Sequence, residues 1–160
     1  ASGAHHVYAI DPVSSRRSAA LKMGASHAYD LSELAELRAE TGMRGPDLVI
    51  EASGNPAAVK LALELVRDAG TVIIVGQYTD NGDIGINPHL DINKKHIRVQ
   101  GCWGSDYSHF HRGVQAVRDL CDRFNWRTTV SATYRLADTQ QALEDVASRK
   151  VVKAVIAPAG

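Results

Sequence analysis

The sequence lacks an excess of charge of either sign. Its 160 residues contain 18 Lys and Arg against 18 Asp and Glu, so the formal net charge is zero. A nucleic-acid-binding domain usually carries a basic stripe, and a membrane-surface protein often carries a polybasic cluster. No apolar run approaches the roughly 20 residues that a membrane helix needs. We therefore expect no nucleic-acid partner and no membrane association.

Cysteine is also scarce, since Cys102 and Cys121 are the only two. They form neither a CxxC pair nor a Cys/His zinc spacing, so buried free thiols are expected. Without disulfides and without a charged segment typical of a signal peptide, the sequence predicts a cytoplasmic protein. His109 and His111 lie two residues apart in a predicted helix and point in different directions, so we expect no metal site there.

Short β-rich segments alternate with amphipathic helix-sized segments along the first hundred residues. Residues 71–76 (TVIIVG) are apolar without alternation, as in a strand that is covered on both faces. This order predicts βαβ units, hence an α/β protein with a Rossmann-type, doubly wound parallel sheet. The predicted strands are 6–11, 28–29, 47–52, 71–76 and 97–103, and the predicted helices are 14–23, 30–41 and 55–70. The expected helix starts are Ser14 or Ser15 as a cap, the capping-box spacing of Asp30 and Glu33, and Asn55 as a cap with Pro56 in the first turn.

The alternation stops after residue 76. Residues 77–93 are polar and rich in Gly and Asn, which predicts a long surface excursion. Beyond the fifth strand, a helix is expected over 105–124. Asp138 and Gln141 have the spacing of a capping box for a helix to residue 148, and residues 151–157 form a last strand. The carboxyl-terminal segment is thus predicted as helix, helix, strand.

The carboxyl ends of the predicted strands carry residues suited to a nucleotide. Ligands of doubly wound sheets bind at these ends. Asp11 ends the first strand, where a carboxylate can accept both hydroxyls of a ribose. The pairs Ser53-Gly54, Gly76-Gln77 and Trp103-Gly104 follow later strands, where glycine lets a flat ligand approach the backbone. Alternatively, the glycines only turn the chain and Asp11 caps the next helix.

A glycine-rich phosphate loop of the form G-x-G-x-x-G is absent. Residues 1–4, with a glycine at position 3, read as the end of a helix. In the dinucleotide fingerprint the acid follows the glycines by about 20 residues, which would place them before residue 1. We therefore expect an incomplete sheet, without its first strand and phosphate loop.

Four stretches together resemble a known family. They are HVYAID…RR…ALKMGASHAYD, GPDLVIEASGNPAAVKLALELVRDAGTVIIVG, KKHIRVQGCWGS and YRLADTQQALEDVASRKVVKAVIAP. In order and spacing they are similar to the carboxyl half of the medium-chain, zinc-dependent alcohol/polyol dehydrogenases. The resemblance implies a partial NAD-binding Rossmann domain over residues 1–101 and a returning segment of the catalytic domain over 102–160.

The same resemblance implies contacts to the coenzyme. Asp11 would bind the adenosine ribose, with Arg16 as the basic residue that follows it. The other implied residues are Ala52, Ser53 and Gly54 beside the adenine, Val75, Gly76 and Gln77 facing the nicotinamide carboxamide, Trp103 and Gly104 beyond that ring, and Lys153 near the pyrophosphate. The carboxylate of Asp11 would repel a 2′-phosphate, which favours NAD over NADP.

The resemblance also limits what this chain can do. It places the zinc ligands in an amino-terminal domain, so no catalytic or metal residue is expected here and the chain alone should be inactive. The complete enzyme would be a homo-oligomer that transfers hydride between nicotinamide and a small alcohol or polyol. Three alternatives stay open: a dehydrogenase branch without zinc, a methyltransferase-like Rossmann domain, and a non-catalytic nucleotide-binding module.

Overall fold

The computed structural model describes residues 3–158, which fall into two compact units, residues 3–33 with 107–158 and residues 34–106. The first two residues of the predicted helix end lie outside the described residues. Over the described chain, no helix is long and apolar enough to cross a membrane. The elements are β1 (Tyr8–Ile10), α1 (Ser14–Lys22), β2 (His27–Tyr29), α2 (Leu34–Glu40), β3 (Leu48–Glu51), α3 (Pro56–Leu65), β4 (Thr71–Ile74), β5 (Arg98–Gly101), α4 (Tyr107–Asp119), β6 (Ala132–Arg135), α5 (Thr139–Ala147) and β7 (Ala154–Ala157).

The strand pairings are parallel throughout, as the sequence predicts. They form three sheets in the described residues, with the orders β1-β2, β3-β4-β5 and β6-β7. In a doubly wound sheet of order 3-2-1-4-5-6, strands 3 and 2 pair on one side of strand 1 and strands 4, 5 and 6 on the other. Here β1 and β2 pair as strands 2 and 3 of that order do, and β3, β4 and β5 pair as strands 4, 5 and 6 do. The fold is therefore a partial Rossmann-type fold.

The core of the unit formed by residues 34–106 lies between β4 and α3. Val72 of β4 is fully buried against Ala62, Leu63 and Val66. Asn55 caps α3 by accepting the backbone N–H of Ala57 at 3.0 Å, and Pro56 occupies the first turn, as predicted.

Helix α3 ends at Leu65, so its predicted extension to residue 70 is wrong. The chain becomes extended at Val66, and the N–H of Arg67 donates to the carbonyl of Pro46 at 3.1 Å. Lys95 donates from Nζ to the carbonyl of Leu63 at 2.6 Å, which satisfies an acceptor of the last turn. The turn that follows places Ala69 in the left-handed region, with φ of 57°.

The caps of the other helices agree only in part with the sequence patterns. Neither Ser14 nor Ser15 caps α1, because Val13 holds that position without a side-chain bond. Glu33 accepts the N–H of Asp30 at 2.6 Å, as its spacing predicts. A 3₁₀ turn (Leu31–Glu33) and then α2 follow this contact.

Strand β6 is an element that the sequence pattern misses. It pairs with β7 from Ala132↔Ala154 to Arg135↔Ala157 and separates the two predicted helices. The capping box before α5 is also wrong, although the helix itself forms. Asp138 pairs with Arg135 at 2.8 Å, and Gln141 donates to Asp145 four residues on.

Candidate functional site

The loops that follow β3 and β4 contact each other through their backbones. A Cβ atom at Gly76 would lie 2.5 Å from the nitrogen of Gly54 and 2.7 Å from that of Ser53. The N–H groups of Val75 and Gly76 both donate to the carbonyl of Glu51, at 2.8 and 3.0 Å. The structure therefore brings the predicted positions at the two strand ends together, and only glycine fits at position 76.

A buried carboxylate joins these two loops, and the sequence analysis missed it. Glu51 ends β3 and is 4 % exposed. Its Oε1 accepts the N–H and the hydroxyl of Ser53, both at 2.7 Å, and the N–H of Gly54 at 3.2 Å. Its Oε2 accepts from Nε2 of Gln77 at 3.3 Å. The signal in the sequence was a charged residue inside the apolar run DLVIEA.

The surroundings of Glu51 keep its carboxyl ionised. Burial by itself raises the pKa, but the donors from Ser53, Gln77 and Gly54 outweigh burial and leave the pKa below its usual value. A carboxyl with a lowered folded-state pKa stabilises the fold above its unfolded pKa of about 4.3 and loses that contribution as the pH falls through the folded value.

Replacing Glu51 by Gln should therefore destabilise the protein in a pH-dependent way. In the natural gene product that contains this chain, we expect a Tm lowered by about 3–6 °C at pH 7, because charge-assisted hydrogen bonds become neutral ones. The difference should shrink as the pH falls below about 4.3, where Glu51 of the unfolded chain takes up a proton, and should disappear below the lower pKa that Glu51 has in the folded protein. Calorimetry from pH 7 to pH 3 measures it, with Glu64→Gln on the exposed face of α3 as the control. An equal difference at pH 7 and pH 3 would contradict an ionised Glu51.

The other predicted positions of this unit lie nearby in the β-ladder or in the open. The N–H of Cys102 donates to the carbonyl of Ile74 at 2.9 Å, which extends the β4–β5 pairing to the residue before Trp103. Trp103 is 79 % exposed, and Gly104 has a φ of 63° with open space where a Cβ would lie. Ala52 and Val75 are exposed.

An open cavity of about 330 Å³ lies beside Gln77, at the start of α3. Its wall includes Thr79, Asp80 and Asn81 from the polar excursion that follows β4. Asn81 also donates from Nδ2 to the carbonyl of Gly54 at 2.9 Å, so the excursion is tied back to the loop after β3.

Asp11 lies in the other unit, directly after β1. Its Oδ1 accepts the N–H of Val13 at 2.8 Å, and its Oδ2 lies 4.0 Å from Nη1 of Arg16. The side chain is 29 % exposed. One carboxylate oxygen thus supports the turn before α1, and within residues 3–158 the other faces only the guanidinium of Arg16.

The two arginines after Asp11 have different contacts. Arg17 donates from Nη1 to the carbonyl of Asp11 at 2.7 Å and to Oδ2 of Asp30 at 3.0 Å, which ties the ends of β1 and β2 together. Among the described residues, the Arg16 side chain makes only the long contact to Asp11, and its buried Nε has no hydrogen-bond partner. Arg16 is therefore the arginine left with hydrogen-bonding capacity.

Lys153 precedes β7 in the same unit as Asp11. Its backbone N–H and carbonyl bond the hydroxyl and the N–H of Ser131, at 3.1 and 3.0 Å, and its side chain is exposed.

The remaining side chains to place are the possible metal ligands and the two cysteine thiols. Over residues 3–158, no group of three or more His, Cys, Asp and Glu side chains could hold a metal ion, so zinc does not fit there. Cys102 and Cys121 are both exposed, so the expectation of buried thiols is wrong. The cause is local, because Cys102 follows the sheet-edge strand β5 and Cys121 follows α4, which has no buried residue.

Parallel strands joined by helices, with small residues and one carboxylate after the strand ends, define this chain as a partial Rossmann-type α/β protein. A family model described as zinc-binding dehydrogenase matches residues 1–121. The chain belongs to the zinc-binding dehydrogenase family.

Individual relatives of the chain support the same family. The chain is 26 % identical over 162 residues to 5-exo-hydroxycamphor dehydrogenase of Pseudomonas putida, covering 98 % of the chain and 45 % of that protein. It is 32 % identical over 150 residues to sorbitol dehydrogenase of Bacillus subtilis, covering 89 % and 40 %. A protein assigned as a zinc-binding dehydrogenase from Sinorhizobium meliloti, solved with NADP bound, superposes with a TM-score of 0.82 at 25 % identity, covering 98 % and 46 %.

The matches cover only part of each relative. The chain spans less than half the length of each of these three proteins. Their similarity runs along nearly the whole of this chain, and it decides against the methyltransferase-like alternative.

Proposed function

We propose that this chain is the coenzyme-binding portion of a longer NAD-dependent, zinc-type alcohol or polyol dehydrogenase. The complete protein transfers hydride between an alcohol and nicotinamide. The match of the family model over residues 1–121 carries the proposal. In it, residues 1–101 belong to the coenzyme domain and residues 102–160 return to the catalytic domain, and the zinc ligands lie in a separate amino-terminal domain.

The residues after the strands fit a nicotinamide dinucleotide. A bound nicotinamide ring supplies the hydride chemistry. Asp11 accepts the hydroxyls of the adenosine ribose through its partly exposed carboxylate, next to Arg16. The remaining contacts are a wall beside the adenine from Ala52, Ser53 and Gly54, a nicotinamide-side loop of Val75, Gly76 and Gln77, the far wall of Trp103 and Gly104, and a point charge from Lys153 near the pyrophosphate.

The surroundings of the complete protein are part of the same proposal. Exposed Trp103 would narrow the substrate pocket, which favours a small alcohol or polyol. From the family resemblance we propose a cytoplasmic homo-oligomer. The balanced charge supports the absence of nucleic-acid and membrane-surface partners.

The natural gene product provides the test. We expect an intact mass more than twice the 17.3 kDa of this chain, since the relatives are more than twice as long. The protein should quench NADH fluorescence on titration and oxidise a panel of alcohols and polyols with NAD, losing turnover but not NADH binding when zinc is chelated. Absence of NADH binding by a folded product would overturn the coenzyme role. Binding without turnover on any substrate would favour the non-catalytic nucleotide-binding module instead.

A further inference from the structure

The carboxylate of Glu51 bonds both loops at the candidate coenzyme wall. One oxygen holds Ser53 and Gly54 through three donors, and the other accepts from Gln77. The two loops belong to different strands, since the first follows β3 and the second follows β4. A carboxylate in this position fixes their separation as well as their individual conformations.

We propose that Glu51 is a positioning residue that sets the gap between the adenine-side loop and the nicotinamide-side loop, and thereby the affinity for the nicotinamide half of the coenzyme. This inference rests on the proposed function. Glu51 itself does not touch the coenzyme, because its carboxylate is buried and occupied by four protein donors. It acts through the side chain of Gln77 and the backbone of the loop to which Gln77 belongs.

Burial and contact geometry together make this link stiff. Ser53 donates twice to one carboxylate oxygen, so its side chain and backbone move with Glu51. On the other side, the carboxylate holds the nicotinamide-side loop through one donor, Nε2 of Gln77. Because Ser53 and Gly54 keep their three bonds to Oε1 when the Gln77 bond is lost, this loss should move the nicotinamide-side loop more than the adenine-side loop.

An exchange of the two side chains tests the link in the natural gene product. Gln77→Glu places two carboxylates against each other and should weaken NADH binding by at least about tenfold, as like charges at contact repel. Glu51→Gln together with Gln77→Glu recreates an amide–carboxylate pair with donor and acceptor exchanged. The double variant should recover most of the lost affinity, which a double-mutant cycle measures.

The choice of ligand separates positioning from general damage to the fold. ADP-ribose lacks the nicotinamide, so Gln77→Glu should weaken its binding by less than about threefold, while NADH loses about tenfold or more. Glu64→Gln, exposed on α3, is the control and should leave both affinities unchanged.

Two results would overturn the inference, and neither is the failure of the proposed function. If the single variants weaken NADH binding and the double variant merely adds their effects, Gln77 acts on the coenzyme directly and Glu51 only supports the fold. If all variants bind NADH like wild type, the loop gap does not determine affinity. Failure of the proposed function is a different result, since wild type itself would then not bind NADH.

Discussion

A Gly76→Ala variant of the natural gene product should lose about 10- to 100-fold in affinity for NADH, which corresponds to about 1.4–2.8 kcal/mol and lies within the usual cost of adding a methyl group at a packed contact. The added methyl group would lie 2.5 Å from the nitrogen of Gly54 and 2.8 Å from the carbonyl carbon of Ala52. These neighbours are backbone atoms, so no side chain can rotate away to make room. One of the two loops must move, and both belong to the proposed coenzyme wall.

The fold should survive this substitution with a lower stability. Overpacking by one methyl group typically destabilises by about 1–3 kcal/mol, which lowers Tm without unfolding the protein at 25 °C. Gly85→Ala is the matched control, because it lies in the excursion after β4 and a Cβ there meets nothing within 4 Å. Fluorescence titration with NADH and a thermal melt measure the two effects. Unchanged NADH affinity in Gly76→Ala would show that this contact forms no part of a coenzyme wall.

The position of β4 could be predicted because burial on both faces leaves a direct mark on the sequence. Residues 71–76 form an apolar run because β4 is the central strand of its sheet, with Val72 fully buried. Asn55 and Pro56 mark the start of α3 through local hydrogen-bonding chemistry that involves only their neighbours. Features of this kind depend on a few residues that are close in the chain, and the sequence patterns for them were reliable.

Features that depend on distant partners could not be predicted. The end of α3 is set by Pro46 and Lys95, which lie about 20 and 30 residues away from it in the chain. Strand β6 forms because β7 offers it a partner, and half of its residues are exposed polar side chains. The local patterns were present, and tertiary contacts replaced them.

The same difference between local and distant contacts applies to the candidate site. Its positions at the strand ends were identified from glycines, a carboxylate and the family resemblance, and the structure joins those at β3 and β4. Glu51 was missed because a single Glu inside an apolar strand carries no sign of what it bonds. Its role depends on Gln77, which is 26 residues further along the chain.

An Asp11→Asn variant should shift coenzyme preference toward NADP by about 10- to 100-fold in the ratio of the two dissociation constants, the range expected for one charged hydrogen bond gained or lost. The amide keeps an acceptor for the N–H of Val13, so the turn before α1 is preserved. It removes the negative charge that would repel a 2′-phosphate and weakens the acceptor for the ribose hydroxyls.

Arg16 should contribute much of this shift. Its guanidinium lies 4.0 Å from Oδ2 of Asp11, and its Nε has no hydrogen-bond partner in the part of the chain that the structure describes. Loss of the carboxylate would therefore leave this cation available to a phosphate. Arg17 should contribute little, because Asp30 and the carbonyl of Asp11 already occupy it.

The comparison of single and double variants separates the two contributions. Asp11→Asn combined with Arg16→Ala should keep the weakened NAD binding and lose most of the gain for NADP. Asp83→Asn, an exposed carboxyl in the excursion after β4, is the control for a change of net charge and should leave the preference unchanged. If Asp11→Asn leaves the ratio of the NAD and NADP dissociation constants as it is in wild type, this carboxylate does not face the ribose. Asp11 would then act only as a support for the turn before α1.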